Sequence, residues 1–257
     1  MDNIQQLLES YSPITLEEMK GIRLMNRIDT KFITTTDMLL RLLDMARDEY
    51  HVQETNAERN MLYRTLYYDT RGFDMFYVHQ YGHANRQKMR FRSYVGSDLH
   101  FLEVKTKNNH GRTKKKRIRV DSREIGKEQR HFLSQTLRYD TDQLAPAIEN
   151  AFRRITLVNK QLTERLTIDT ELCFNNIVSG QQCEMNPLVI IELKRDGLRP
   201  SPVLYMLRQL RIHPHGFSKY CMGSALTNPS LRINRFKPKL HDVEKLLGNE
   251  RIEELKN

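Results

Sequence analysis

Alternation of apolar and polar positions dominates the middle of the chain, and helical spacing dominates the segments around it. Residues 1–24 carry helical signals. Ser12-Pro13 interrupts the first segment, and Thr15-x-x-Glu18 reads as a capping box, in which hydroxyl and carboxylate satisfy each other's free backbone N–H. Residues 26–34 predict a strand. From Thr36, positions Met38, Leu39, Leu42, Leu43 and Ala46 recur at helical spacing, with Thr36 or Asp37 as cap and an end near Tyr50. Between about 51 and 120 period two takes over, and Tyr63–Asp69, Phe73–Tyr81, Gln87–Val95, Phe101–Lys107 and Thr113–Val120 predict strands. Asp69-Thr-Arg-Gly72, Gly96-Ser97-Asp98 and Asn108-Asn109-His110-Gly111 supply turns. Residues 122–160 return to helical spacing through Ile125, Phe132, Leu133, Leu137, Leu144, Ile148, Phe152 and Ile155. Thr163–Thr170, Leu172–Val178 and the apolar Leu188–Arg195, opened by Asn186-Pro187, predict further strands. Ser201–Ile212 is amphipathic, with Pro202 at a helix's first position, and Leu240–Asn257 reads as a short charged helix. No repeat and no Gly/Pro-rich linker divides the chain. The expected layout is one α+β domain over 1–257, with its core at about 22–230, a helical insertion at about 122–160 and a terminal helix at about 240–257.

Side chains two apart on a strand share a face, and here the charges do. Lys88, Arg90 and Arg92 oppose Met89 and Phe91; Glu103, Lys105 and Lys107 oppose Leu102 and Val104; Glu192 and Lys194 oppose Val189, Ile191 and Leu193. Lys114 and Lys116 make a further stripe. One such stripe is the ordinary wet face of a half-exposed sheet. Four of them, two with a Glu, predict a sheet curled so that its charged faces meet around a polyanion and a metal ion. A buried, uncompensated cation costs several kcal/mol, so the lumen has to be wet or filled with anions, and a barrel of about eight strands has the room. Arg27-x-Asp29-x-Lys31, Arg165-x-Thr167-x-Asp169 and Ser218-Lys219 extend the pattern. Lys115, Arg117 and Arg119 are expected outside, as a basic patch.

Composition narrows the partners. The chain has 257 residues, 39% of them hydrophobic, and a net charge of +10, which allows a core and attracts anions. Without an RNP-like aromatic motif or a helix-turn-helix signal, no nucleic acid is expected. Cys173, Cys183 and Cys221 lack CxxC spacing and read as reduced thiols. The polar, acidic start is no signal peptide, and no apolar run reaches the length of a membrane span, so a soluble cytoplasmic chain is expected. No Walker A pattern or kinase Gly-rich loop is present. His79, His83, His110, His213 and His215 do not stand at metal-ligand spacing.

The succession Asn26-Arg-Ile-Asp-Thr-Lys31, Tyr67-Tyr-Asp-Thr70, Lys88-x-Arg90-x-Arg92-x-Tyr94, Leu102-Glu-Val-Lys105, Arg165-Leu-Thr-Ile-Asp169, Ile191-Glu-Leu-Lys194 and Phe217-Ser-Lys-Tyr220 resembles the VTC domain. This is the polyphosphate polymerase domain of the vacuolar transporter chaperone complex, one of the triphosphate tunnel metalloenzymes alongside the CYTH phosphatases and cyclases. The resemblance covers roughly residues 22–230 and rests on the order and spacing of the motifs. It implies an antiparallel eight-stranded β-barrel tunnel with helices packed outside. It implies Lys31, Arg90, Arg92, Lys105, Lys116, Arg165, Ser218 and Lys219 as phosphate-binding residues and Glu192 as the carboxylate for Mn²⁺ or Mg²⁺. Strand parity adds Lys88, Lys107, Lys114 and Lys194, with Glu103 as a second metal carboxylate.

The implied activity is a metal-dependent phosphotransferase that moves the γ-phosphate of ATP onto a growing inorganic polyphosphate chain. Arg90, Arg92, Lys105, Arg165 and Glu192 would form its catalytic set. Two departures stand out. Arg27-x-Asp29-x-Lys31 replaces the Glu-x-Glu-x-Lys of CYTH hydrolases, and Gly216 stands where some VTC members carry Lys. The sequence shows neither the membrane segments nor the SPX domain of the eukaryotic complex, resembling free-standing bacterial members and leaving a membrane-protein partner open. A tunnel-fold triphosphatase and a non-catalytic polyphosphate-binding module remain the alternatives.

Overall fold

The computed structural model describes residues 2–22, 27–109, 112–197 and 199–248. Asn26, the turn residues His110 and Gly111, and the end of the expected terminal helix lie outside them. The strands are β1 (Pro13–Ile14), β2 (Arg27–Thr35), β3 (Tyr50–Gln53), β4 (Met61–Thr70), β5 (Arg86–Tyr94), β6 (Leu99–Lys107), β7 (Thr113–Val120), β8 (Leu144–Asn159), β9 (Glu164–Asn176), β10 (Gln182–Glu184) and β11 (Leu188–Asp196). The helices are α1 (Asp2–Glu9), α2 (Thr36–Ala46), α3 (Asp74–Gln80), α4 (Lys127–Thr136), α5 (Pro202–Gln209), α6 (Lys219–Thr227) and α7 (Lys237–Leu247). Eight strands form one path in the order β2-β11-β9-β8-β4-β5-β6-β7, antiparallel at every step. The Thr15–Glu18 capping box is present, with Thr15 N–H donating to Glu18 Oε2 at 2.7 Å and Glu18 N–H to Thr15 Oγ1 at 3.3 Å.

The path is curled. β11 and β6 are separated by four strands in the sheet order, yet Glu192 and Lys105 lie close enough to shift each other's ionisation. Lys31 on β2 likewise acts on Lys88 on β5. The charged faces therefore point inward and meet across a lumen. The outward faces carry the apolar halves of the same strands. Val189, Ile191, Leu193, Leu166 and Ile168 pack under α1, α2 and α5. Met89, Phe91, Leu102 and Val104 pack with Leu133 of α4. This is an α+β tunnel architecture with helices outside.

One helix enters the concave side. α6 closes one end of the lumen, where its Tyr220 stacks on Tyr67 at 5.2 Å and joins Ile148, Phe152, Leu172 and Phe174 in an apolar plug. The close approach requires Gly223, because a Cβ there would sit 2.3 Å from the ring of Phe174.

Two expected elements are corrected. Phe73–Tyr81 holds the helix α3 with its two caps and is not a strand. Phe73, Tyr77 and Tyr81 are spaced by four, and the buried Asp69 carboxylate accepts from the backbone N–H groups of Thr70, Met75 and Phe76, which holds the helix start. The helical insertion is confined to α4; the rest of 122–160 is mainly the 16-residue β8. Both faces of β8 are buried. Ile148 and Phe152 face the plug while Ile155 and Leu157 face the outer helices, so its apolar residues fall at intervals of four and three and lose the period-two signature.

Gly223→Ala is expected to destabilise the protein by about 1–3 kcal/mol, the usual cost of overpacking, as read from urea unfolding. An unchanged midpoint would show that α6 does not rest on Phe174.

Candidate functional site

Strand register decides which charges enter the lumen. Lys88 stands opposite Lys105, Arg90 opposite Glu103 and Arg92 opposite Phe101. On the next strand Lys115 stands opposite Lys105 and Arg117 opposite Glu103. Lys116 pairs with Val104 and Lys114 with Thr106, which puts both on the outer face. The expectation for β7 is thereby inverted: Lys115, Arg117 and Arg119 line the inside, and Lys114 and Lys116 do not. In a run of consecutive cations parity is set by the hairpin, which pairs Lys107 with Thr113. On the far wall Glu192 pairs in register with Lys31 and Thr167, and Lys194 with Asp29 and Arg165.

Two carboxylates hold part of this charge in place. Glu103, with no exposed surface, accepts from Arg90 Nε at 2.8 Å, Arg90 Nη2 at 2.6 Å and Lys115 Nζ at 3.0 Å. Burial works against its ionisation, but Arg90, Arg92 and Lys115 outweigh it and hold the carboxyl well below its usual range. Arg90 Nη1 also donates to Tyr67 Oη at 3.2 Å. Burial raises that phenol, and Arg90, Arg92 and Lys88 bring it down to about 8. Asp169 accepts from Arg154 Nε and Nη2 at 2.6 and 2.7 Å, and from Lys219.

At the plugged end the N-terminus of α6 joins the lining. Ser218 caps the helix, accepting from Cys221 N–H at 3.3 Å, and receives Lys88 Nζ at 2.7 Å. Lys31 Nζ donates to the carbonyl of Phe217 at 3.0 Å. Glu192 Oε2 takes Lys194 Nζ at 2.8 Å. Lys107 is in register at the edge of the same face.

Three cations are left under-paired. Lys105 has no hydrogen-bonding partner among the described residues, and burial, Arg90 and Lys31 press its ammonium down to about 6 against the pull of Glu192. Arg92, 9% exposed, has among the described residues one side-chain hydrogen bond, 3.4 Å from Nε to Thr65 Oγ1, and lies 5.9 Å from the centre of the Tyr63 ring; burial and Arg90 lower it. Arg165 Nε is buried without a partner among the described residues, and burial, Arg27 and Arg154 lower it too. Such groups carry a desolvation cost that an anion in the lumen would relieve.

The donor set was tested for a divalent metal. Among the described residues no three His, Cys, Asp or Glu side chains gather. Glu103, expected as a metal ligand, has both oxygens taken by Arg90 and Lys115 and does not fit. Glu192 fits as one protein oxygen donor. Its carboxyl is held well below the usual range, against burial, by Lys194, Lys31 and Lys105, and hard cations accept single carboxylates when phosphate and water complete the shell.

A family model described as the VTC domain matches residues 26–228. The chain belongs to the VTC domain family. Similar solved structures include a candidate adenylate cyclase of Vibrio parahaemolyticus, 11% identical, with a TM-score of 0.46 over 78% of this chain and 99% of that one. A candidate adenylyl cyclase of Hippeastrum, described as having a dominant triphosphatase activity, is 14% identical, with a TM-score of 0.45 over 79% and 98%. No curated protein matches. Among the described residues no helix is long and apolar enough to cross a membrane.

The lumen of this VTC domain contains residues the sequence reading missed. Arg154 lay in the segment read as helix; its guanidinium pairs with Asp169 and lies 5.1 Å from the ring centres of Tyr63 and Phe152. The alternation of Asn150, Phe152, Arg154 and Thr156 was the available signal. Tyr67 and Lys115 were missed as well.

Lys105 is expected to make any anion binding in the lumen pH-dependent. Its folded value, about 6, lies below the ordinary lysine value, so the free protein gains stability as pH rises from there. An anion reverses the shift, so inorganic tripolyphosphate binding near pH 8 should draw protons from solution and weaken as pH rises. Calorimetry in buffers of different ionisation heat should show net uptake, reduced in Lys105→Met; no uptake would contradict the buried, neutral Lys105.

Proposed function

We propose that this VTC domain is a polyphosphate polymerase that transfers the γ-phosphate of ATP to the end of an inorganic polyphosphate chain. The observation that carries the reading is the set of under-paired, inward-facing basic side chains Arg92, Lys105 and Arg165, drawn from three strands. A protein that buries cations without matching carboxylates is suited to a ligand bearing the missing negative charge.

Phosphoryl transfer needs in-line positioning and charge neutralisation more than covalent participation by the protein. A terminal oxygen of the polyphosphate chain is already an anionic nucleophile. It forms the new bond to the γ-phosphorus as the bond from that phosphorus to the β-bridging oxygen breaks, and ADP departs with the electron pair. Arg92 and Arg165 offer forked donors, and Lys105, Lys88, Lys31 and Lys194 offer point charges. Arg90, fixed by Glu103 and Tyr67, and Arg154, fixed by Asp169, supply a field already oriented before the charge develops. Ser218 and Lys219 place the start of α6 at the inner end. Glu192 would hold Mn²⁺ or Mg²⁺, which would neutralise charge on the phosphate oxygens.

Purified protein incubated with ATP and Mn²⁺ should give a polyphosphate ladder on a stained gel. Lys105→Ala and Glu192→Gln should each cut its formation about 100-fold or more, the scale of losing one charge-stabilising group. Arg90→Ala is a poorer probe, since it strands Glu103 with a single partner. Orthophosphate without a ladder would identify a triphosphatase instead, and tight polyphosphate binding without turnover a binding module.

A further inference from the structure

Along β5, away from Lys88 and its contact with Ser218 at the start of α6, aromatic rings join the cations of the lumen lining. Tyr63, Tyr94 and Phe101 lie on the inward face of β4, β5 and β6, since Tyr63 stands opposite Tyr94 and Phe101 opposite Arg92. The Tyr63 and Tyr94 rings are 4.9 Å apart, and Tyr94 meets Phe101 edge-on at 5.8 Å. The guanidinium of Arg117 lies over Phe101, 4.4 Å from its centre. Apolar packing explains Tyr63 and Tyr94, which belong to or lie against the plug cluster. It does not explain Phe101. That ring is half-buried and belongs to none of the hydrophobic clusters of the described residues.

We infer that Phe101, with Arg117 and the edge of Tyr94, is a stacking site for the base of a nucleoside triphosphate whose phosphates run inward along β5 and β6. The inference rests on the proposed anion-binding lumen and adds the nucleoside to it. The spacing suits such a ligand. Phe101 adjoins Arg92, and Glu103 with Arg90 lies two residues further in. Lys105 with Lys88 lies four residues in, about 13 Å along the strand. A guanidinium layered over a flat ring gives a base a planar cation to stack against, backed by the ring.

The stack itself does not depend on which base is present. The inward side chains in register around Phe101 include Arg92, Tyr94, Leu99, Arg117 and Arg119. The nearby polar groups Ser93 and His100 bond each other on the opposite face. Stacking without edge contacts tolerates any base.

The test is calorimetric titration of the full chain, near pH 8, with inorganic tripolyphosphate, ATP and GTP. Wild type should bind ATP and GTP within about threefold of each other. Phe101→Ala should weaken both nucleotides about tenfold, the scale of one base–aromatic stack, and leave tripolyphosphate unchanged. Phe101→Trp should retain nucleotide affinity. Equal weakening of tripolyphosphate and nucleotides by Phe101→Ala, or no weakening of either, overturns the stacking site and leaves the lumen reading intact. Failure of wild type to bind tripolyphosphate overturns the lumen reading and the stacking site with it.

Discussion

The pairing of Glu103 with Arg90 and Lys115 is the interaction on which the inner surface depends. A sheet that curls its charged faces together has to keep like charges from driving it open. Here a fully buried carboxylate joins β5, β6 and β7 by pinning cations from both neighbouring strands. Asp169 does the same on the other wall, joining Arg154 of β8 and Lys219 of α6 to β9. These pairs are strongly ionised because each sits among more positive charge than it cancels. Removing one member of such a pair leaves the other buried and unpaired. The same residues that make the lumen attractive to polyanions therefore make the fold sensitive to substitution there.

The outer layers follow from a second requirement, that the apolar half of each strand be covered. α1, α2 and α5 cover the wall that carries Glu192, and α4 covers the wall that carries Arg90. α6 is the exception, lying inside. Its interior position is possible because Gly223 lets its backbone meet the Phe174 ring and because Tyr220 donates to the buried Asp69. Asp69 thus serves two elements at once, starting α3 and anchoring α6.

Much of this was legible in the sequence. The inward faces of β5, β6, β9 and β11 followed from period two, because each of these strands buries one apolar face and turns the other to the charged lumen. The same logic failed on β7, where cations occupy consecutive positions and only the β6–β7 register separates Lys115 from Lys116. It failed again on β8, which is apolar on both sides and so hid Arg154 among residues spaced like a helix. The fate of Glu103 was not legible either, since a Glu beside cations on a strand reads equally as a metal ligand or as an internal counter-ion. Only the distances to Arg90 and Lys115 separate the two.

The division between pinned and unpinned cations gives the lumen the character of an ion-exchange resin. Arg90, Arg154, Lys115 and Lys219 carry permanent internal counter-ions, whereas Arg92, Lys105 and Arg165 are its exchangeable positions. Any small oxyanion in the surrounding solution is a competitor for those positions. If the lumen binds anions as proposed, binding to the folded chain alone would raise apparent stability by mass action, and phosphate or sulfate in a buffer would act on this molecule as a ligand and not as an inert salt.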